Sequence, residues 1–165
     1  MQVENKGEDQ AEVSSGTVCF SKDDSFKKLI AHYEDYLKTC TALGRESISF
    51  HTRSVQQILV HMTGQELVRS LSGSAVCKML REMDREEPPG FLQSKKETHS
   101  ANYLRNVLQA CKRLVDCLSV STEENLAVDD EQKRDTEKVL LMMSSKFPFL
   151  LIILCACSYL LYHKK

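Results

Sequence analysis

Two histidines, His51 and His61, stand ten residues apart, and paired imidazoles are among the side chains that can hold a metal ion. That spacing could bring them near one helix face, but solvent-facing positions account for them as well. Cys111 and Cys117 have five residues between them, whereas zinc-binding cysteine pairs are separated by two to four. Cys111 also falls in an apolar stripe, which argues for packing. The adjacent carboxylates Glu86-Glu87, Glu123-Glu124 and Asp129-Asp130 have the character of solvated helix ends. The chain has no Gly-x-Gly-x-x-Gly, no phosphate-binding loop, no Gly-x-Ser-x-Gly and no His-Glu-x-x-His, the spacings by which common catalytic sites announce themselves. The expectation is a protein that is not an enzyme and holds neither metal nor cofactor.

The elements around these residues read as helical. Residues 1–20 are polar, acidic and Gly/Ser-containing, the composition of a disordered leader. From there Phe26, Leu29, Ile30, Tyr33, Leu37 and Cys40 recur at three- and four-residue steps and predict a helix over about 23–41, capped by Ser21 or Asp23 and followed by Gly44. A second helix is expected over about 49–70, weakened by Gly64, with Leu67, Val68 and Leu71 on a shifted face. Val76, Met79, Leu80 and Met83 form a third stripe that opens near Ser72–Ser74 and stops at Pro88-Pro89-Gly90. Ser94-Lys95-Lys96-Glu97 matches a capping box ahead of Leu104, Val107, Leu108, Cys111, Val115 and Leu118. A second box reads Ser121-Thr122-Glu123-Glu124, and Asp129-Asp130 can open a last helix. No stretch alternates with period two. The fold class is all-α: a small bundle of four to five helices over residues 21–128, a juxtamembrane helical stalk over 129–146, and a C-terminal transmembrane helix over 147–163.

That last assignment rests on an abrupt change in composition. Over the whole chain 42% of residues are hydrophobic and 27% charged, ordinary globular usage. Yet Phe147, Pro148, Phe149, Leu150, Leu151, Ile152, Ile153, Leu154, Cys155, Ala156, Cys157, Ser158, Tyr159, Leu160, Leu161 and Tyr162 run without a charge. As a helix those residues reach ~24 Å, somewhat less than the ~30 Å of bilayer hydrocarbon. Val139–Met143 extend the apolar character backward, interrupted by Ser144, Ser145 and Lys146. Lys146 on one side and Lys164 and Lys165 on the other are placed to snorkel to the interfaces, with Tyr159 and Tyr162 at the outer boundary. Pro148 suits the first turn, where its missing N–H is not needed. A buried core helix is the competing reading. The flanking basic residues, the position at the end of the chain and apolar residues on every face favour a tail anchor, inserted after synthesis with the N-terminal domain in the cytosol. The lysines are not placed as a dilysine retrieval signal. The short, doubly basic pattern resembles tails of mitochondrial outer-membrane proteins, and that membrane is favoured over the endoplasmic reticulum.

Net charge is −1, from 22 basic and 23 acidic residues. No basic stripe stands out, so nucleic acid is not an expected partner. Seven cysteines without scaffold spacing, no glycosylation sequon and no signal peptide at the N-terminus fit reduced thiols in the cytosol. The expected partners are the lipid bilayer and another protein, an amphipathic helix being the occupant suited to an apolar groove. Candidate groove residues are Val55, Leu59, Met62, Met79 and Met83, methionine adapting readily to varied surfaces. The bundle core competes for the same residues. An adaptor or scaffold presenting a helical domain at an organelle membrane is the leading functional reading.

The alternative comes from a resemblance. A helical domain with a C-terminal anchor resembles the layout of the B-cell-lymphoma apoptosis regulator family. Phe26–Cys40 (FKKLIAHYEDYLKTC) is similar to that family's first helix, Leu43-Gly44-Arg45 matches part of its signature, and Met79–Asp84 (MLREMD) is similar to a death-motif helix. The departures are a missing Asn-Trp-Gly-Arg, a chain without Trp, and Met83 where a small residue is expected. The resemblance implies a regulator of apoptosis. A fusion protein resembling membrane-anchored SNAREs is disfavoured, because residues 119–138 hold few apolar residues and break the required heptad seam.

Overall fold

The computed structural model describes residues 25–63 and 71–147. The leader 1–20, the caps Ser21 and Asp23, the shifted-face residues Leu67 and Val68, and the run from Pro148 onward, with Lys164 and Lys165, lie outside the described residues. The described residues form six helices and no strand: α1 Ser25–Cys40, α2 Arg45–Thr63, α3 Gly73–Arg81, α4 Phe91–Lys95, α5 Ala101–Ser119 and α6 Asp130–Ser145. Five helices fall within 21–128, as expected, but the five-residue α4 is one that no periodicity marked. So short a helix has no stability of its own; it is held by burial of Phe91 and Leu92 and by the bond from Leu92 N–H to the Met83 carbonyl at 2.9 Å.

The bundle is organised around α5. It buries Leu104, Val107, Leu108, Ala110, Cys111, Leu114, Val115, Cys117 and Leu118, more than a single stripe, because α1, α2, α3 and α6 all pack on it. Helix α1 contributes Leu29, Ile30, Tyr33 and Leu37, at the steps its periodicity predicts. The Tyr33 hydroxyl, buried among them, donates to the Ala110 carbonyl of α5 at 2.8 Å. Burying a phenol without a partner would be costly, and this bond satisfies it. Burial, the largest cause, raises its pKa far above that of an ordinary tyrosine.

Several boundaries differ from the expectation, each for a local reason. Helix α2 begins at Arg45 rather than near 49, because the Gly44 carbonyl already accepts from Ile48 N–H at 3.0 Å; this polar first turn carries no apolar period. Helix α3 ends at Arg81, well before the prolines, and Met83 lies beyond it in the turn. Ser94 does not cap α5. It sits inside α4 and donates to the Phe91 carbonyl at 2.8 Å, while Ser100 caps α5 by accepting from Tyr103 N–H at 3.2 Å. Tyr at the third position hides this cap from a capping-box search. Ser121 accepts from Glu123 N–H at 3.2 Å and shapes a turn, not a helix start. Asp129 caps α6 through Gln132 N–H at 2.7 Å, as its placement predicts.

The largest difference concerns residues 129–146. They do not stand apart as a stalk: α6 packs along α5 and α3 and buries Thr136, Leu140 and Met143. The preceding segment explains why. Leu126 and Val128 are buried, Val128 N–H reaches the Leu118 carbonyl at 3.3 Å, and Gly73 N–H reaches the Asn125 carbonyl at 2.9 Å. Lys133 adds an ion pair to Asp116 at 3.2 Å, and Gln132 a bond to Ser74 at 3.0 Å.

Candidate membrane-facing site

Of the candidate groove residues, Val55, Leu59 and Met83 are fully buried in the core, while Met62 and Met79 are partly buried and packed against it. None of them lines the grooves described below. The core holds Val55, Leu59 and Met83, and the Met83 sulfur lies 3.7 Å from Cys111 Sγ of α5.

The residues with chemical potential are likewise absorbed by packing. His61 Nε2 lies 3.1 Å from the Pro89 carbonyl oxygen, and its ring meets Phe91 edge-on at 5.7 Å. His51 is buried near Arg113 of α5, and its Nδ1, like Thr52 Oγ1 and Arg113 Nε, has no hydrogen-bond partner among the described residues. The two histidines therefore occupy different surroundings. Cys77, Cys111 and Cys117 are buried free thiols. Burial raises all three above the ordinary thiol range, Cys117 to about 12, which keeps them protonated and poorly nucleophilic. Among the described residues no cluster of His, Cys, Asp and Glu could hold a metal.

His51 carries a pH dependence. Burial first, and Arg113 second, lower its pKa, so the folded state resists the proton that the unfolded chain accepts at a pKa of about 6.5. The unfolded state then binds more protons, and stability rises with pH across that window. Stability is expected to be fully present above pH ~6.5 and to fall as the solution is acidified toward the lowered folded value. Denaturant titrations between pH 7.5 and 5 should show this slope, and His51→Phe should flatten it.

Three open grooves lie among the described residues. One between α1 and α2, of about 640 Å³, is lined by Glu34, Lys38, Arg45, Ile48 and Arg53 among others. A second, of about 500 Å³, lies between α6 and the turn after α3 and includes Asp84, Arg85, Met142 and Lys146. The third runs between α5 and α6, holds about 540 Å³, and gathers Arg105, Lys112, Arg134 and Lys138 against one carboxylate, Glu137. Its apolar lining is Leu108, Leu140 and Leu141. The sequence shows no basic stripe here because the cations come from two helices. The readable signals are Arg105 and Lys112 seven residues apart, and Arg134 and Lys138 four apart.

Val139–Met143, read as a backward extension of the apolar run, divide between two faces. Leu140 and Met143 point into the core, whereas Leu141 is 73% exposed and Met142 61%. Helix α6 ends just beyond them. Lys146, expected to flank a membrane interface, is the C-cap of α6; its N–H bonds to the Met143 carbonyl at 3.1 Å and its ammonium pairs with Asp84. Phe147 is tucked into the core cluster, and its carbonyl accepts from the Arg105 guanidinium. The last described residues are therefore fastened to both α5 and the turn after α3. No helix among the described residues is long and apolar enough to cross a membrane.

No protein-family model, curated protein or solved structure matches the chain. The likeness to apoptosis regulators stands on the residues quoted for it.

Proposed function

We propose that the chain is a non-enzymatic, single-pass, tail-anchored membrane protein that presents a cytosolic helical domain as an adaptor at an organelle membrane, the mitochondrial outer membrane being favoured. The observation that carries this reading is the end of α6. It turns Leu141 and Met142 outward and lies within two turns, along the sequence, of the uncharged run 147–162. Isolated exposed apolar residues are common on soluble proteins. Two large ones beside a run of bilayer-like composition suit a surface that meets lipid. Because Val55, Leu59 and Met83 belong to the core, the partner surface in this reading is the α1–α2 groove. It shares no lining residue with the α5–α6 groove, and its mixed charges with Ile48 suit a polar protein surface.

Imaging of a fluorescent fusion tests the assignment. The full chain is expected on a membrane, coincident with a mitochondrial outer-membrane marker, and the variant lacking residues 147–165 is expected to be diffuse. A diffuse full-length protein would overturn the proposal. Cell death on overexpression that depends on residues 147–165 would favour the apoptosis-regulator reading.

A further inference from the structure

We propose that the α5–α6 groove binds the headgroup phosphate of an anionic phospholipid while α6 lies along the bilayer surface; this rests on the membrane reading above. Charge is the first argument. Arg105, Lys112, Arg134 and Lys138 converge on one groove with a single carboxylate, Glu137. Lys112 and Lys138 make no ion pair with any described residue, and the Arg134 Nε–H is satisfied by the Asp130 carbonyl of its own helix at 3.1 Å. A groove of this composition is complementary to a phosphate, which basic side chains bind through charge-assisted hydrogen bonds.

The second argument is the exposed surface of α6, where Arg134, Lys138, Leu141 and Ser145 follow at helical steps with Met142 beside them, and the exposed acids Glu131 and Asp135 lie in its first half, away from Leu141 and Met142. Helices that lie in a membrane interface join Lys and Arg to an apolar surface in this way, the cations reaching phosphates while the apolar side chains enter the acyl boundary. A free phosphate ion would leave Leu141 and Met142 unused. The third argument is position. Arg105 lines the groove and also holds the carbonyl of Phe147, the first residue of the apolar run, so the start of that run is fastened beside the groove.

The chain contains no Trp, so L141W supplies a single fluorescent reporter on the ridge. The full chain carrying L141W is reconstituted into vesicles of phosphatidylcholine alone, or with ~20% phosphatidylglycerol, made with brominated acyl chains as quenchers. Flotation with both compositions is expected, with quenching at least about twofold stronger when phosphatidylglycerol is present and abolished by ~0.5 M salt. The added quenching should vanish in K112E/K138E and persist in K28E/K96E, an equal charge change at two exposed lysines outside the grooves. If K112E/K138E loses helical circular dichroism, K112Q/K138Q is read in its place. A floating protein quenched equally in both compositions, or equally with the lysines replaced, overturns the headgroup site while leaving the anchor intact. Loss of the added quenching on addition of inorganic phosphate marks a free-anion site and overturns it as well. A chain that floats with neither vesicle overturns the membrane reading and this inference together.

Discussion

Gly73→Ala is expected to destabilise the folded domain by about 2 kcal/mol or more, the range of forced overpacking in a tight interior. Helix propensity alone predicts the opposite sign, since Ala is favoured over Gly by about 1 kcal/mol inside a helix. The reversal follows from what a Cβ would meet. Gly73 opens α3 against the segment that leads into α6, where an added methyl would collide with the Leu126 carbonyl oxygen and come within 2.9 Å of its carbon and of Val128 Cγ1. A backbone carbonyl cannot swing aside as a flexible side-chain end can. Relief therefore requires α3 to separate from the 125–128 segment, breaking the Gly73 N–H bond to the Asn125 carbonyl and uncovering Leu126. Gly44→Ala is the matched control, because nothing lies within 4 Å of its added Cβ. Urea titration of the full chain in mild detergent, followed by circular dichroism, should separate the two. Equal midpoints would contradict the close approach at Gly73.

Phe91→Ala is expected to have the larger effect, about 3–5 kcal/mol, as for other fully buried aromatic residues cut back to a methyl. Phe91 is 1% exposed. Its ring meets His61 of α2 edge-on at 5.7 Å and lies 5.9 Å from the Lys95 ammonium. Because α4 has five residues, the cavity would not be bridged by a helix able to persist unaided. The loss should spread to the Pro89–His61 contact and to the Leu92–Met83 hydrogen bond. Phe91→Leu keeps most of the volume and should lose less than ~1.5 kcal/mol. The same titration reports both variants, and a Phe91→Ala midpoint close to that of Phe91→Leu would show that α4 is not a structural wedge.

What could be read from the sequence and what could not divide along physical lines. Helices α1 and α5 were legible because one face of each repeats apolar residues at helical steps: Leu29, Ile30, Tyr33 and Leu37 in one, Leu104, Val107, Leu108, Cys111, Val115 and Leu118 in the other. Helix α4 was not, since five residues are too few for a period to show. The packing of α6 was hidden because its buried positions are Thr136, Leu140 and Met143. Thr136 enters the core only because its hydroxyl donates to the Gln132 carbonyl at 2.7 Å, which no apolar count registers. The choice between groove and core for Val55, Leu59 and Met83, which are buried, could not be made for the converse reason, as periodicity marks residues that avoid water without saying which neighbour covers them. The basic groove was invisible in one dimension because its cations come from helices brought together only by the fold. The run from Pro148 onward is legible in composition alone.

The fastening of Phe147 and Lys146 has a mechanical consequence. A domain joined to an anchor by a slack tether feels no load until the tether is drawn out. Here the carbonyl held by Arg105 and the ammonium held by Asp84 belong to the last two described residues, Phe147 and Lys146, which come directly before Pro148 in the sequence. Tension applied to that run is borne at once by α5 and by the turn after α3, in a shear across the two side chains. In the membrane reading proposed above, a pull on the anchor would reach the helical domain through these two contacts first.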